Sequence, residues 1–310
     1  MMVADKMELC LKEIREIVGE SNVETHVPLK QYTSFRIGGP ADIMAFPSDI
    51  ESLTRLIQYL SRNQINRLLL GNGTNLLVSD KGFRGVVIHT GKHLKSIAVK
   101  EEENRIYAQC GASLAAVSAA ALKHGLRGLE FASGIPGTMG GALFMNAGAY
   151  GSTMSDVVES TIALDEQGGL CTIRKEEHDF GYRNSCFRKK CLFVLETELK
   201  LEPGNYNEIR DKMNELNMKR KTCQPLEYPS AGSVFKRPEG CFAGNLIEDS
   251  GLKGYTIGGA CVSEKHAGFI INKGSATADD VNRLINHIIS VVYDRFHVTL
   301  EPEIIRIGEF

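Results

Sequence analysis

A segment of small residues, 131–151 (FASGIPGTMGGALFMNAGAYG), constrains the fold of this chain more than any other part of the sequence. Ten of its twenty-one residues are Gly or Ala, and none is charged. Such a segment cannot fill a core with its own side chains, but Gly lets backbone N–H groups approach a bulky group because it has no Cβ. The composition therefore predicts either a backbone cradle for a phosphate or a flat cofactor ring, or a closely packed turn followed by a small-residue helix.

A second glycine-rich turn lies between two apolar runs in residues 68–78, LLLGNGTNLLV. The pattern predicts a strand, a tight polar turn and another strand. It lacks the Rossmann fingerprint, because Leu76 stands where the third Gly would be and no helical pattern follows. Two such loops favour a dinucleotide held by another architecture, with its pyrophosphate against backbone amides.

The bulk composition indicates a globular chain of two or three domains, with 310 residues of which 43% are hydrophobic. A net charge of −2 argues against nucleic acid or an anionic membrane as the main partner. No apolar run approaches the roughly 20 residues needed to span a bilayer, and the N-terminus carries acidic residues where a signal peptide would be apolar. We therefore expect a cytoplasmic protein.

The eight cysteines are scattered and form no CxxC pair. Structural zinc and iron–sulfur sites usually contain closely spaced cysteine pairs, so we expect free, mostly packed thiols. The sequence predicts no metal site.

Hydrophobic periodicity predicts an α+β chain with antiparallel strand pairs rather than alternating strands and helices. The predicted helices span residues 4–19, 48–61, 113–124, 207–221, 243–250 and 279–296. The helix after Ser48 is predicted to start with a capping box of Ser48 and Glu51, and the last helix with one of Thr277 and Asp280. The predicted strands span residues 42–46, 68–78 around the turn, 85–90, 96–99, 105–110, 157–164, 170–174, 192–201, 267–272 and 298–307, with hairpins across 100–104 and 165–169.

Three polar residues stand out by their local setting: Arg183 in FGYRNS, Ser233 in AGSVFK and Glu303 in LEPEII. Taken singly, each is explained as well by a surface Arg, a turn Ser and an outward-facing Glu, because most charged residues are solvated.

The motifs YTSFRIGGPAD, LLLGNGTNLLV, SGIPGTMGGALFMNAGAYG, FGYRNS, YPSAGSVFKRP, KHAGFIIN and LEPE, taken together, resemble the UDP-N-acetylenolpyruvoylglucosamine reductase family of bacterial cell-wall flavoenzymes. They occur in order over nearly the whole chain. The resemblance implies an FAD-binding fold of the vanillyl-alcohol oxidase (PCMH) type in two subdomains, with a C-terminal α+β substrate domain. It also implies the compact subtype without an extra lid loop. We expect subdomains at residues 1–78 and 79–203, a substrate domain at 204–297 and a closing strand at 298–310.

The resemblance also implies the chemistry. NADPH, as co-substrate, reduces non-covalent FAD, which then reduces the enolpyruvyl ether of UDP-N-acetylglucosamine enolpyruvate to UDP-N-acetylmuramate for peptidoglycan synthesis. The family's catalytic Arg, Ser and Glu fall on Arg183, Ser233 and Glu303. A guanidinium suits the substrate carboxylate, a hydroxyl can protonate the carbon, and a carboxylate can polarise, orient or reprotonate the site.

The remaining assignments follow from the same resemblance, and we expect a monomer. The expected FAD-binding residues are Tyr32, Thr33, Arg36, Gly71, Asn72, Gly73, Thr74, Asn75, Ser133, Gly134, Gly137, Gly140 and Gly141. The expected substrate-binding residues are Tyr182, Arg220, Lys221, Lys236 and Arg237.

This chain departs from the family pattern after Glu303. A basic residue commonly stands two positions further on, whereas here that residue is Ile305 and Arg306 follows. On a continuous strand this shift would turn Arg306 to the opposite face. The alternatives to the reductase are another FAD oxidoreductase of the same fold acting on an alcohol or sugar, and a flavin- or nucleotide-sugar-binding sensor without turnover.

Overall fold

The computed structural model describes residues 2–310, with side chains from residue 8 onward. Its helices are α1 Met2–Val18, α2 Ile50–Arg62, α3 Leu114–Lys123, α4 Met139–Met145, α5 Cys186–Lys189, α6 Tyr206–Cys223, α7 Ala243–Asp249 and α8 Ala278–Phe296. Its strands are β1 Val23–Pro28, β2 Pro40–Ala45, β3 Arg67–Leu70, β4 Leu76–Val78, β5 Phe83–His89, β6 Ile97–Lys100, β7 Arg105–Gln109, β8 Leu126–Arg127, β9 Gly148–Ala149, β10 Ser152–Thr153, β11 Val158–Leu164, β12 Leu170–Arg174, β13 Phe193–Lys200, β14 Glu202–Pro203, β15 Ser230–Ser233, β16 Thr256–Ile257, β17 Ala260–Val262, β18 Phe269–Asn272 and β19 Ile305–Ile307.

The chain forms two compact units, each discontinuous in sequence. Unit 1 comprises the chain up to Thr25 with Ile43–Asn72 and Gly85–Met218, and unit 2 comprises His26–Asp42, Gly73–Arg84 and Lys219–Phe310. Each unit has its own buried apolar cluster. The four segments predicted from the sequence stay a prediction.

Unit 1 contains an antiparallel five-stranded sheet of order β12-β11-β13-β7-β6. Both predicted hairpins, β6 with β7 and β11 with β12, are confirmed. A second sheet has the order β1-β2-β5-β3, in which β3 and β5 run parallel. The helix α2 packs Leu53, Leu56, Ile57 and Leu60 into the core.

Unit 2 contains a four-stranded sheet of order β15-β18-β17-β16 and the parallel pair β19-β4. Helix α8 begins at the predicted capping box, in which the Thr277 side chain accepts from the Asp280 N–H and the Asp280 side chain accepts from the Thr277 N–H. One apolar face of the helix is buried from Val281 to Val292. This helix is therefore determined by local signals that agree with its packing.

The predicted strands on either side of the Gly71 turn are confirmed as β3 and β4, and they pair with β5 and β19 rather than with each other. Two predictions about local structure are wrong. The N-cap of α2 is Asp49, whose carboxylate accepts from the Ser52 N–H at 2.7 Å, while Ser48 only donates its hydroxyl to Asp49. The closing strand is short.

In place of a strand over residues 298–307, only Ile305–Ile307 is a strand, preceded by an isolated bridge between Pro302 and Phe235. Glu303 therefore lies outside β19, and strand alternation does not relate it to Arg306, which is exposed on β19.

All eight cysteines are free, four of them buried. Within the side chains described from residue 8 onward, no group of three His, Cys, Asp or Glu residues could hold a metal ion. Over residues 2–310, every helix is too short or too polar to cross a bilayer.

Candidate active site

Gly71 and Asn72, at the carboxyl end of β3, lie directly against the segment that precedes α4. A Cβ at Gly71 would lie 2.3 Å from Thr138 Oγ1. Asn72 Nδ2 donates a hydrogen bond to the Pro136 carbonyl at 2.8 Å. The two predicted glycine-rich segments therefore meet within unit 1, and Gly71 allows that contact because it has no Cβ.

The first amides of α4 are bonded within the protein. The Met139 N–H donates to the Ala112 carbonyl and the Gly140 N–H to the Cys110 carbonyl, both at 2.8 Å. A Cβ at Gly140 would lie 3.2 Å from Cys110 Cβ, so this Gly allows α4 to pack on the segment after β7. Gly141 is exposed, and Ser133 donates its hydroxyl to the Glu130 carbonyl at 2.9 Å. Burial raises the pKa of the Cys110 thiol to about 12, so this thiol is protonated and unreactive at neutral pH.

Unit 2 contains a matching contact between the loop of residues 32–36 and Gly73. A Cβ at Gly73 would lie 2.2 Å from the Tyr32 carbonyl oxygen, and the φ of Gly73 is +58°. The Ser34 N–H donates to the Gly73 carbonyl at 3.2 Å. Thr33 is buried and donates its hydroxyl to the Ile37 carbonyl, whereas Arg36 is exposed with a left-handed φ of 54°.

These loops fit a ligand that presents phosphate oxygens. Over residues 2–310, no protein acceptor takes the N–H of Gly137 or Thr138 in unit 1, or that of Gly73 or Thr74 in unit 2. Buried or half-buried amides need a partner, and phosphate oxygens accept readily from backbone N–H groups. Each unit thus offers backbone donors at its glycine-rich loop.

Arg183 is at the tip of a two-residue turn. The residues on either side, Gly181 and Asn184, exchange two backbone hydrogen bonds of 3.0 and 3.2 Å. The backbone of Arg183 has a left-handed conformation, with a φ of 54°, and its guanidinium carbon lies 5.1 Å from the Tyr182 ring centroid. Asn146, at the C-cap of α4, donates to the Gly181 carbonyl at 3.2 Å. The sequence reasoning missed Asn146, although an Asn that follows a small-residue helix is a typical left-handed cap.

Ser233 and Glu303 lie in adjoining segments of unit 2. The Glu303 N–H donates to the Val234 carbonyl at 2.7 Å, and the Lys236 N–H to the Glu301 carbonyl at 2.9 Å. Ser233 is half-buried at the end of β15, and its hydroxyl donates to the Phe235 carbonyl at 3.3 Å. The backbone segments that carry these two residues, which are distant in sequence, are therefore paired.

Asn75, from the glycine-rich turn, joins the same cluster. Its side-chain amide donates to the Glu303 carbonyl at 3.3 Å, and its own carbonyl accepts from the Ile305 N–H at 2.9 Å. The predicted cofactor loop and the predicted catalytic Glu are thus in direct contact.

The predicted basic residues form two groups in unit 2. Arg220 and Lys221 end α6, and Lys221 is exposed. Lys236 is half-buried and pairs with Glu301, while the Arg237 guanidinium carbon lies 4.1 Å from the Phe242 ring centroid. Cation–π contact leaves the edge of a guanidinium able to donate to an anion.

Two family models match the chain: one described as the C-terminal domain of UDP-N-acetylenolpyruvoylglucosamine reductase over residues 224–307, and one described as an FAD binding domain over residues 41–174. The UDP-N-acetylenolpyruvoylglucosamine reductase of Caldanaerobacter subterraneus subsp. tengcongensis is 53% identical over 302 residues, covering 97% of this chain and 99% of the relative. That of Clostridium tetani is 49% identical over 299 residues, covering 96% of each.

Solved structures are also similar to this chain. The UDP-N-acetylenolpyruvylglucosamine reductase of Thermus caldophilus superposes with a TM-score of 0.79 at 35% identity, covering 92% of this chain and 99% of that one. The 4-ethylphenol oxidase of Gulosibacter chungangensis gives a TM-score of 0.51 at 14% identity over 64% of this chain and 43% of that one, a likeness of fold alone. The predicted α+β fold with an FAD-binding part and a C-terminal domain is confirmed.

Proposed function

The chain belongs to the UDP-N-acetylenolpyruvoylglucosamine reductase family, and we propose that it reduces the enolpyruvyl ether of UDP-N-acetylglucosamine enolpyruvate to UDP-N-acetylmuramate, with NADPH as the hydride source. The observation that carries the proposal is the 2.7 Å hydrogen bond that joins Glu303 to the residue after Ser233. A serine and a glutamate carried by adjoining backbone segments suit a reaction in which one carbon receives a hydride and its neighbour a proton. An FAD oxidoreductase acting on an alcohol or sugar, or a sensor without turnover, has no comparable need for this pair.

Non-covalent FAD, when bound, would supply two-electron redox chemistry that links NADPH to the enolpyruvyl ether. In our proposal the backbone amides at Gly73, Thr74, Gly137 and Thr138 hold its phosphates. Asn75, Tyr32, Thr33 and Arg36 are further proposed FAD-binding residues. The other proposed contacts are Gly71, Asn72, Ser133, Gly134, Gly140 and Gly141, of which Gly71 and Gly140 act by shaping the loops.

Arg183 is proposed to bind the substrate carboxylate. Negative charge accumulates on the carbon next to the hydride acceptor and on its carboxylate, and a guanidinium can bind both carboxylate oxygens without changing protonation state. The left-handed turn, supported by Asn146, would fix where that charge is presented.

Ser233 is proposed to protonate this carbon. Its hydroxyl has only a long 3.3 Å hydrogen bond to give up, so turning toward a substrate costs little. Glu303 would then orient the hydroxyl or return a proton to it. The diphosphate of the substrate would be bound by Lys221, Lys236, Arg220 and Arg237, with Tyr182 also at the substrate. The proposed setting is peptidoglycan precursor synthesis by a cytoplasmic monomer, in support of cell shape and division.

The visible spectrum of the purified protein tests this function. We expect a yellow protein that NADPH bleaches and that regains its colour when the enolpyruvyl nucleotide sugar is added without oxygen, with UDP-N-acetylmuramate as product. UDP-N-acetylglucosamine, which lacks the enolpyruvyl group, is the matched control and should leave the flavin reduced. Bleaching by an alcohol or a sugar instead of NADPH, or no bleaching at all, would rule out the proposed reaction.

A further inference from the structure

His266 lies in the turn between β17 and β18, next to the Ser233 and Glu303 cluster. The turn is held by Ser263, whose buried hydroxyl accepts from the Lys265 N–H at 3.2 Å and the His266 N–H at 3.3 Å. The imidazole Nδ1 accepts a hydrogen bond from the Gly268 N–H at 3.1 Å. An Nδ1 that accepts carries no proton, so the proton of the neutral ring is on Nε2.

A continuous series of hydrogen bonds leads from this ring to Glu303. After the His266–Gly268 bond, the Gly268 carbonyl accepts from the Val234 N–H at 2.9 Å. The Val234 carbonyl in turn accepts from the Glu303 N–H at 2.7 Å. Because Ser233 directly precedes Val234, the position of the ring is transmitted through the backbone to both residues of the pair.

The ring and the Ser233 hydroxyl also border the same small space in front of Gly268. A Cβ at Gly268 would lie 3.0 Å from His266 Cε1 and 3.6 Å from Ser233 Oγ. A Cβ there would crowd the imidazole, whereas it would be in ordinary van der Waals contact with the Ser233 hydroxyl. Gly268 therefore lets the imidazole pack close to the serine.

The surroundings of His266 favour the neutral ring. Burial lowers its pKa below the ordinary value. Of the charged groups that act on the ring, Lys253, which follows α7, lowers its pKa and Glu248 of α7 raises it, and these two side chains pair with each other at 2.6 Å. Gly244 of α7 and the ring of Phe269, 4.9 Å away, are uncharged neighbours.

We propose that His266 is a positioning residue whose neutral imidazole, acting through Gly268 and Val234, holds Ser233 and Glu303 in register, and that protonation of the ring releases them. An imidazolium has N–H groups at both nitrogens and cannot accept from the Gly268 N–H. The proposal rests on the proposed function, because it assigns a role in the step that Ser233 and Glu303 serve.

The sign of the pH effect follows from the lowered pKa. The hydrogen bond is fully present above the unfolded-state pKa of His, about 6.5, and is lost as the pH falls through the lower folded-state value. We therefore expect flavin reoxidation by the enolpyruvyl substrate to slow on the acid side of neutrality, while flavin reduction by NADPH keeps its own pH dependence.

Three variants of the holoenzyme test the proposal by stopped-flow measurement of both half-reactions across pH. His266→Asn places an acceptor near the position of Nδ1 that does not titrate, so reoxidation should proceed at neutral pH and lose the acid decline. His266→Leu has no acceptor, and reoxidation should be roughly 10²-fold slower at every pH, the cost of a small misplacement. His287→Asn is the matched control, because His287 stacks on Tyr255 at 4.5 Å and has no part in the relay, so it should match the wild type.

Amide hydrogen exchange of Val234 and Glu303 gives a readout independent of turnover. In the wild type their protection should fall with the acid decline, whereas in His266→Asn it should stay constant. Wild-type reoxidation at every pH in His266→Leu, or an acid decline that persists in His266→Asn, would overturn the inference. A wild-type protein that NADPH reduces but the enolpyruvyl sugar never reoxidises would instead overturn the proposed function.

Discussion

Replacing Gly73 by Ala should weaken FAD binding much more than it destabilises the protein. The new Cβ would lie 2.2 Å from the Tyr32 carbonyl oxygen and 3.0 Å from Thr33 Cα, so the loop of residues 32–36 must move away. That movement breaks the 3.2 Å hydrogen bond from the Ser34 N–H to the Gly73 carbonyl. The φ of +58° is also unfavourable for Ala.

The expected size follows from these two effects. A left-handed φ costs a residue with a Cβ about 1–2 kcal/mol. The lost hydrogen bond adds about 1 kcal/mol. We expect FAD binding to require both the loop of residues 32–36 and the loop at Gly73 in their wild-type positions. The binding free energy for FAD should then fall by about 2–3 kcal/mol. At about 1.4 kcal/mol per factor of ten, this is a loss of affinity on the order of 30- to 150-fold.

The matched control is Gly251→Ala, because Gly251 has a similar φ of +75° but no atom within 4 Å of the added Cβ. The assay is titration of each apoprotein with FAD, alongside urea unfolding. Gly251→Ala should lower the free energy of unfolding only by the cost of a left-handed φ for Ala, and it should keep wild-type FAD affinity. Equal FAD affinities for the two variants would show that the contact between Gly73 and Tyr32 does not support the cofactor site.

Three further predictions address catalysis, substrate binding and thiol chemistry. Ser233→Ala should leave bleaching by NADPH nearly intact and slow reoxidation by about 10²- to 10⁴-fold in stopped flow, and equal slowing of both phases would instead indicate a folding defect. Lys221→Met and Lys236→Met should raise KM more than they lower kcat, since they remove uniform binding of the diphosphate, and unchanged KM values would put the phosphate site elsewhere. Mild alkylation followed by mass spectrometry should label the exposed Cys223 long before Cys110, whose pKa burial raises to about 12, and early labelling of Cys110 would contradict its packing against α4.

Signals carried by neighbouring residues were sufficient for much of the fold. The Thr277 and Asp280 capping box and the apolar stripe after it predicted α8, and alternating strands around short polar turns predicted the hairpins β6-β7 and β11-β12. These elements are fixed by hydrogen bonds and side-chain periodicity within a few residues, so the sequence alone determines them. Composition also predicted that the glycine-rich segments make close backbone contacts, either with a ligand or within the protein.

Long-range pairing was decided only by the tertiary structure. The sequence predicts the two strands around Gly71 but not their partners: β3 pairs with β5 and β4 with β19, because strand pairing depends on burial across the whole fold. The cluster of Ser233, Asn75 and Glu303, and the proposed role of His266, were likewise visible only in the tertiary structure. Each depends on backbone hydrogen bonds between segments far apart in the chain, and no local pattern encodes which carbonyl will face which amide.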